Sequence, residues 1–294
     1  MEPIRNYFRN STPELPINVT YRILDSRPSD NPGFTYVANY FSVLLIYRGE
    51  VLTSIAGKPY VLKAGDIRVF LKDDLHLFRT QAPDTRYVQI SITPKLFAFP
   101  SNQYFYRHFV QPLKDNQLDC PRLFRPGDPG HKALYQQMDR LDMTREGQDS
   151  YTAELFAISV SLCCALLPYC TTGQPASYPI EDAVRTCLKF MSEHGNEKIT
   201  LEQMAALVHL HPNYLCTIFK EYTGKTIFDH LTKQRLRRAS RQLRSTKLPV
   251  QQVAERCGFP SASFFSRKFH SIYGCTPIQY RKRYANTYVE YEEE

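Results

Sequence analysis

The chain has 294 residues, 43% of them hydrophobic and 22% charged, and 37 Lys and Arg against 29 Asp and Glu leave it at +8. That length predicts about two domains, and the composition is globular, far from that of a disordered chain. The N-terminus MEPIRNYFRN has no apolar core and no cleavage site, and the longest greasy stretch, Leu155 to Cys170, falls short of the roughly twenty residues that a membrane span needs; secretion and membrane insertion are excluded and a cytoplasmic location is expected.

Before about residue 95 the chain alternates with period two. Phe41 to Tyr47, Glu50 to Ile55 and Pro59 to Leu62 are strand-like runs separated by the Arg48-Gly49 and Gly57-Lys58 turns. Asp66 to Leu71 follows the Ala64-Gly65 turn, and Arg86 to Ile92 closes the series. Short strands with turns at this spacing predict an antiparallel sandwich or barrel. The pattern then becomes helical, with helices predicted over His131–Thr144 and Tyr151–Leu167, joined by Arg145–Asp149.

Thr171 to Pro179 has two prolines, a glycine and no periodic apolar residues, and reads as a linker. The predicted organisation is therefore a first domain over 1–170, a linker over 171–179, a second domain over 180–286 and an acidic tail over 287–294. Residues 180–294 hold 18 Lys and Arg against 12 Asp and Glu, and four of those acids are the tail residues Glu290, Glu292, Glu293 and Glu294. The positive charge sits in the second half, as in a polyanion-binding module.

That half contains an internal repeat. Leu201-Glu-Gln-Met-Ala-Ala aligns with Val250-Gln-Gln-Val-Ala-Glu, and Asn213 to Thr226 aligns with Ser263 to Thr276, with one extra turn residue in the second copy. Each copy reads as a short helix, a turn, a second helix and a glycine, the grammar of a helix-turn-helix. Thr200 and Gln203 form a capping box, Ser261 caps the second copy's recognition helix, and Gly224 and Gly274 mark the helix exits. Thr276-Pro277 opens a closing helix. Ala205 and Ala254 are small where two helices must cross closely.

On the first copy's second helix, Leu215, Ile218, Phe219 and Tyr222 share one face and Asn213, Cys216, Thr217 and Lys220 the other. In the second copy, Phe265, Phe269 and Ile272 are expected to be buried, and Ser263, Ser266, Arg267 and His270 to be exposed. Between the copies, Ile227 to Ser245 has no Gly or Pro and carries Lys233, Arg235, Arg237, Arg238, Arg241 and Arg244. As a helix it spans about 28 Å, close to the roughly 34 Å between successive major-groove faces. Some of these arginines are expected on phosphates, the others on acids or solvent.

Eight cysteines stand at 120, 163, 164, 170, 187, 216, 257 and 275, with no Cys-x-x-Cys and no His at ligand spacing beside a pair. They read as small apolar thiols in a reducing compartment, with no metal and no cofactor.

Arg235-Leu-Arg-Arg-Ala239, Val253-Ala254-Glu-Arg-Cys-Gly258-Phe259, Ser263-Phe-Phe-Ser-Arg-Lys-Phe269 and Tyr273-Gly274-Cys-Thr276-Pro277-Ile-Gln-Tyr280-Arg281 resemble the signature of the AraC/XylS family, strongly over residues 181–285 and in layout elsewhere. The resemblance implies an α+β two-domain fold: an N-terminal cupin-like β-barrel with dimerisation helices, and a C-terminal all-α domain of two helix-turn-helix units joined by a long helix. The Lys63-Ala-Gly65-Asp66 turn with His76 downstream looks like the family's barrel pattern, and Ser42 stands where many members carry a Glu. His76 and Ser42 are the expected effector contacts.

The resemblance implies a sequence-specific regulator of transcription, an activator responding to a small metabolite such as a sugar. Its partners would be double-stranded DNA, a second copy of the chain and RNA polymerase. Carried over, the base-facing positions are Asn213, Cys216, Thr217 and Lys220, and Ala262, Ser263, Ser266, Arg267 and His270. Departures are the short Cys216 and Thr217, His211 where a Ser or Thr cap is usual, and Ala262, which offers only apolar contact. Arg267 alone can grip guanine O6 and N7 bidentately, worth roughly 1–3 kcal/mol of discrimination.

An enzyme is disfavoured, because a metal-dependent cupin lacks its His and carboxylate ligands and a repair alkyltransferase lacks its zinc cysteines and reactive-Cys motif. An architectural DNA-binder whose first domain only dimerises is the alternative.

Overall fold

The computed structural model describes residues 6–9, 17–24, 34–37, 41–55, 57–80, 84–97, 103–143, 150–173 and 178–284. They form two compact units that divide between Glu181 and Asp182. The tail 287–294 and the connection Arg145–Asp149 lie outside the described residues.

The first unit carries strands β1 (Asn6–Arg9), β2 (Ile17–Leu24), β3 (Phe34–Val37), β4 (Phe41–Arg48), β5 (Val51–Ile55), β6 (Lys58–Leu62), β7 (Ile67–Phe70), β8 (Leu75–Thr80) and β9 (Thr85–Ile92). Three two-residue strands follow, β10 (Leu118–Asp119), β11 (Leu123–Phe124) and β12 (Thr171–Thr172). One sheet runs β1-β2-β9-β4-β7-β11, a second β3-β8-β5-β6, and β10 pairs with β12 alone. The pairings are antiparallel throughout.

Alternation predicts β4 to β7 and β9; β1, β2, β3 and β8 are additional. In β8 the residues Leu75, His76, Leu77, Phe78 and Thr80 are all buried. A strand covered on both faces shows no in-out pattern to read.

Period two assigns the faces of the larger sheet. Phe41, Val43 and Leu45 of β4 join Val69, Val88 and Ile90 in a core beneath the helices. Leu44 and Ile46 point the other way and meet Val51, Leu62 and Phe78 of the second sheet, with Phe70 and Tyr87. Ser42, Arg68, His76, Thr80, Gln89 and Ser91 belong to this second, inter-sheet face and are buried there.

The helices of this unit are α1 (Gln103–Phe105), a π turn over Tyr106–Val110, α2 (Gln111–Lys114), α3 (His131–Met143) and α4 (Tyr151–Leu166). By length and composition the helical run Tyr151–Tyr169 is apolar enough to cross a membrane. Its Leu155, Ile158, Leu162, Cys163 and Leu166 lie instead in the core against the sheet.

Both ends of the predicted linker 171–179 lie in regular structure. Thr171 and Thr172 pair with Asp119 and Leu118, a tertiary contact that local composition does not reveal, and the next helix already starts at Pro179.

The second unit is helical: α5 (Pro179–His194, from Asp182 on), α6 (Leu201–Leu207), α7 (Pro212–Thr223), α8 (Ile227–Ser245), α9 (Val250–Arg256), α10 (Ala262–Tyr273) and α11 (Pro277–Tyr284). The repeat is plain in the bounds, because α6 and α9 have 7 residues each and α7 and α10 have 12 each. Thr200 Oγ1 accepts from Gln203 N while Gln203 Oε1 accepts from Thr200 N, closing the capping box. Ser261 accepts from Phe264 N and Thr226 from Asp229 N. Gly224 (φ 70°) and Gly274 (φ 68°) leave α7 and α10 in the left-handed region, with their N–H groups on the Lys220 and His270 carbonyls.

Ala205 and Ala254 are buried at the α6/α7 and α9/α10 crossings. The second copy's core joins Leu236, Ala239 and Leu243 of α8 to Val253, Ala254, Phe265, Phe269 and Tyr280. Ile272 does not belong to it: the side chain is 50% exposed. Tyr273 takes that place, stacked on Phe269 at 4.4 Å and tilted against Tyr280 at 5.2 Å. The core partner at this end is α11, which covers the Tyr273 side of the helix.

Candidate nucleic-acid interface

The two repeated helices present comparable outer faces. On α7 the side chains of Asn213, Cys216, Thr217 and Lys220 are all exposed, while Leu215, Ile218 and Phe219 are buried. Thr217 Oγ1 donates to the Asn213 carbonyl at 3.1 Å, so its hydroxyl hydrogen is already used. His211 Nδ1 accepts from Asn213 N at 3.3 Å and takes the role of the missing Ser or Thr cap, at a longer distance than a hydroxyl achieves at Gln203 or Phe264.

On α10, Ser263, Arg267 and His270 are exposed, whereas Ala262 and Ser266 are half-buried. Arg267 makes no ion pair among the described residues and stands clear of its own fold. Lys268, absent from the sequence-based set, is exposed beside it with its ammonium 5.8 Å from the Phe264 ring. Lys282 and Arg283 at the end of α11 are also exposed. The Arg281-Lys282-Arg283 triplet was the available signal for them.

Two of the α8 arginines have partners outside the expected phosphates, acids and solvent. None of the helix's six basic side chains is fully exposed. Arg235 donates to the Gly195 and Glu197 carbonyls, both at 2.6 Å, and Arg238 donates to the Ser192 carbonyl. These oxygens belong to the last turn of α5 and the loop after it, where a helix leaves carbonyls unsatisfied and its dipole is negative. Burial, with Arg238 alongside, pushes the Arg235 pKa below the usual guanidinium value. Arg281 of α11 similarly donates to the Leu243 and Leu248 carbonyls, at 3.2 and 2.5 Å. The partners are thus backbone carbonyls, a third possibility beside phosphates and acids. These arginines hold the two copies to one frame.

Gly258 completes that frame. It has φ 79°, and a Cβ there would lie 2.6 Å from the Asn196 carbonyl oxygen and 2.9 Å from its Cα. The turn of the second copy thus sits directly on the loop that opens the first.

In the first unit, the two expected effector contacts meet around one ring. His76 stacks on Phe70 with centroids 3.6 Å apart and planes at 17°. Ser42 faces Phe70 across the β4–β7 ladder and donates to Ser91 Oγ at 2.9 Å. Burial, and then the Arg68 charge, hold the His76 pKa well below its ordinary value, so the imidazole is neutral. Arg68 lies 4.3 Å over the same Phe70 and donates to the Ser54 and Arg122 carbonyls at 3.1 and 3.0 Å.

Sequence reading missed Arg68, whose charge in a strand looks like a solvated side chain. It also missed Thr53 and Thr80, whose buried hydroxyls have no hydrogen-bond partner among the described residues. A buried polar atom without a partner costs about 1–3 kcal/mol, a cost that a polar ligand between the sheets would relieve. Among the described residues no three His, Cys, Asp or Glu side chains gather as a metal site.

The comparisons with known proteins agree with this layout. Residues 31–155 match the model of an AraC-like ligand binding domain, and residues 204–283 match that of a helix-turn-helix domain. The chain is 22% identical over 238 residues to the arabinose operon regulatory protein of Salmonella typhimurium, covering 81% of this chain and 82% of that protein. It is 24% identical over 276 residues to the uncharacterized HTH-type transcriptional regulator YdiP of Escherichia coli, covering 90% and 87%. Among solved structures, the DNA-binding domain of AdpA in complex with a target DNA is 30% identical over 37% of this chain and 94% of that one, with a TM-score of 0.34. With a ligand-binding domain matched before a helix-turn-helix domain, and relatives of the same kind aligned over most of its length, the chain belongs to the AraC family of DNA-binding transcription regulators.

Proposed function

We propose that this regulator is a homodimer that reads DNA with α7 and α10 and activates transcription, through contact with RNA polymerase, in response to a small polar metabolite such as a sugar. The observation that carries the reading is the pair of matched 12-residue helices, each with its apolar face in a core and its polar face turned outward. Helix α8 has 19 residues and spans about 28 Å, which suits two recognition helices in successive major grooves.

Asn213, Cys216, Thr217 and Lys220 form the first reading head, and Ala262, Ser263, Ser266, Arg267 and His270 the second. Arg267 supplies the principal base contact, while Lys220, Lys268 and His270 meet phosphates. With Arg235 and Arg238 tied to backbone carbonyls, less of the basic charge is available for phosphates than the composition implies.

The effector lies between the two sheets, against Ser42, His76, Thr53, Thr80 and Arg68. The Thr53 and Thr80 hydroxyls, without a partner among the described residues, favour this over a barrel that only dimerises. The outward side of α4, with Ala157, Val160 and Cys164, is the proposed dimer contact. In this reading residues 1–170 sense, 180–286 read, 171–179 connect them, and the protein works in the cytoplasm.

The test is selection of bound fragments from random DNA by wild type and Arg267→Ala over a salt series. Two reads about one helical turn apart, one of them relaxed in the variant, are expected. Binding without a motif, steep in salt and indifferent to Arg267, would replace this reading with an architectural one.

A further inference from the structure

All eight cysteines are free thiols, and two of them, far apart in sequence, are brought together. In the β10–β12 ladder Asp119 faces Thr171 and Leu118 faces Thr172. Continuing that register one step places Cys120 opposite Cys170, whose backbone is extended (φ −86°, ψ 143°). Gly173 N donates to the Gln117 carbonyl at 2.9 Å. Counting the alternation from that bond makes Cys120 and Cys170 a non-hydrogen-bonded pair, the type in which facing Cα atoms approach to about 4.5 Å. That spacing lies within the range a disulfide requires. The two thiols are within hydrogen-bonding reach of each other.

The surroundings favour a reactive sulfur. Arg122 Nη1 lies 3.9 Å from Cys120 Sγ and also donates to the Cys120 carbonyl at 2.6 Å. Asp74 and Asp119 hold that guanidinium in place through bonds of 2.7 and 2.9 Å. The hydrogen bond with Cys170 lowers the Cys120 pKa, burial opposes it, and Arg122 lowers it further, against Asp74 and Asp119; the net direction is downward. Cys170 is only half-buried, and the Leu166 carbonyl, 3.3 Å from its sulfur, is the alternative acceptor for its single thiol proton. A thiol of lowered pKa beside a second cysteine is part of the arrangement of a redox sensor; Cys120 itself is buried, 7% exposed, so a peroxide must reach it from the more open Cys170 side.

We propose that Cys120 and Cys170 form a reversible intramolecular disulfide when the protein meets a small hydroperoxide. The Cys120 thiolate attacks one peroxide oxygen, so that the S–O bond forms as the O–O bond breaks, and the departing oxygen leaves as water or alcohol after taking a proton. Cys170 sulfur then attacks the sulfenic sulfur; the S–S bond forms, the S–O bond breaks, and the hydroxide leaves as water with the Cys170 proton. Two thiols supply the two electrons that reduce the peroxide, and a dithiol reductant reverses the reaction. The link would staple β12 to β10, making the pairing of this short ladder depend on redox state. This does not depend on what the inter-sheet site binds.

The experiment takes the reduced full-length protein, at a concentration that disfavours links between chains, through a hydrogen peroxide titration. Intact mass, denatured thiol count and peptide mapping are then read. Expected are the loss of two thiols per chain, a mass lower by about 2 Da for the two hydrogens removed, a Cys120–Cys170 linked peptide, and full reversal by dithiothreitol. Arg122→Met is expected to slow the reaction, and Cys163→Ser to leave it unchanged. An unchanged mass, added oxygen without a link, or preferential linkage of any other pair would overturn the proposal. The decisive mapping is made on wild type, so a variant that fails to fold does not affect it.

Discussion

Replacing Gly258 by Ala tests whether the two helix-turn-helix copies are locked in one frame. At φ 79° an L-residue carries a left-handed penalty of about 1–2 kcal/mol. The added Cβ would also meet the Asn196 carbonyl oxygen at 2.6 Å, its carbon at 2.8 Å and Cα at 2.9 Å. All three are backbone atoms that no rotamer change can move, and overpacking of this kind costs roughly 1–3 kcal/mol more. The control lies in the same unit. Gly274 has φ 68° and nothing within 4 Å of a built Cβ, so Gly274→Ala carries the conformational penalty alone. Denaturant unfolding of the two variants is therefore expected to differ by about 1–3 kcal/mol, which in a unit of this size lowers the thermal midpoint by roughly 4–8 °C for each kcal/mol. DNA selection with Gly258→Ala is expected to show weakened preference for the spacing between the two reads. Equal destabilisation by the two substitutions would refute the contact between the second copy's turn and Asn196.

Lys220→Ala is expected to weaken DNA binding uniformly across sequences and to lower the slope of log K against log salt by about 0.9; a change of sequence preference instead would move Lys220 from phosphate to base. Phe269→Ala removes a buried ring packed on Phe265, Tyr273 and Tyr280 and should cost about 3–5 kcal/mol by urea unfolding. His230 has its pKa pushed down to about 3, by burial first and then by Arg237, Lys225 and Lys233. The unfolded chain therefore takes up a proton near pH 6.5 that the folded one refuses. The stability present above that pH falls as pH drops from about 6.5 toward 3, by roughly 1.4 kcal/mol per unit, and a His230→Gln variant whose stability fell as steeply as wild type would contradict this. Thr53→Val and Thr80→Val each remove a buried hydroxyl that has no partner among the described residues, and each is expected to leave stability unchanged or raised while weakening effector-dependent thermal stabilisation.

The features legible in the sequence are those made by residues near one another along it. The capping box of Thr200 and Gln203, the Ser261 cap, the exit glycines and the extent of α8 from Ile227 to Ser245 all rest on hydrogen bonds or periodicities spanning a few residues, so the repeat and its outward faces could be read directly. What each charged or apolar side chain meets across the fold could not. The α8 arginines look like one phosphate-binding stripe until the end of α5 is brought beside Arg235 and Arg238 and its carbonyls take their N–H groups. Ile272 has the right period to be buried, yet α11 covers Tyr273 instead. Strand β8 hides because both faces are covered, and with it the stacking of His76 on Phe70. Arg68 reads as a surface residue until two sheets close over it. Cys120 and Cys170 are separated along the chain by α3 and α4, and only the register of a two-residue ladder sets their sulfurs together. Local hydrogen bonding and periodicity determined the helical elements and the proposed reading heads; long-range packing, which decides where a cation or a thiol finds its partner, was left to the tertiary structure.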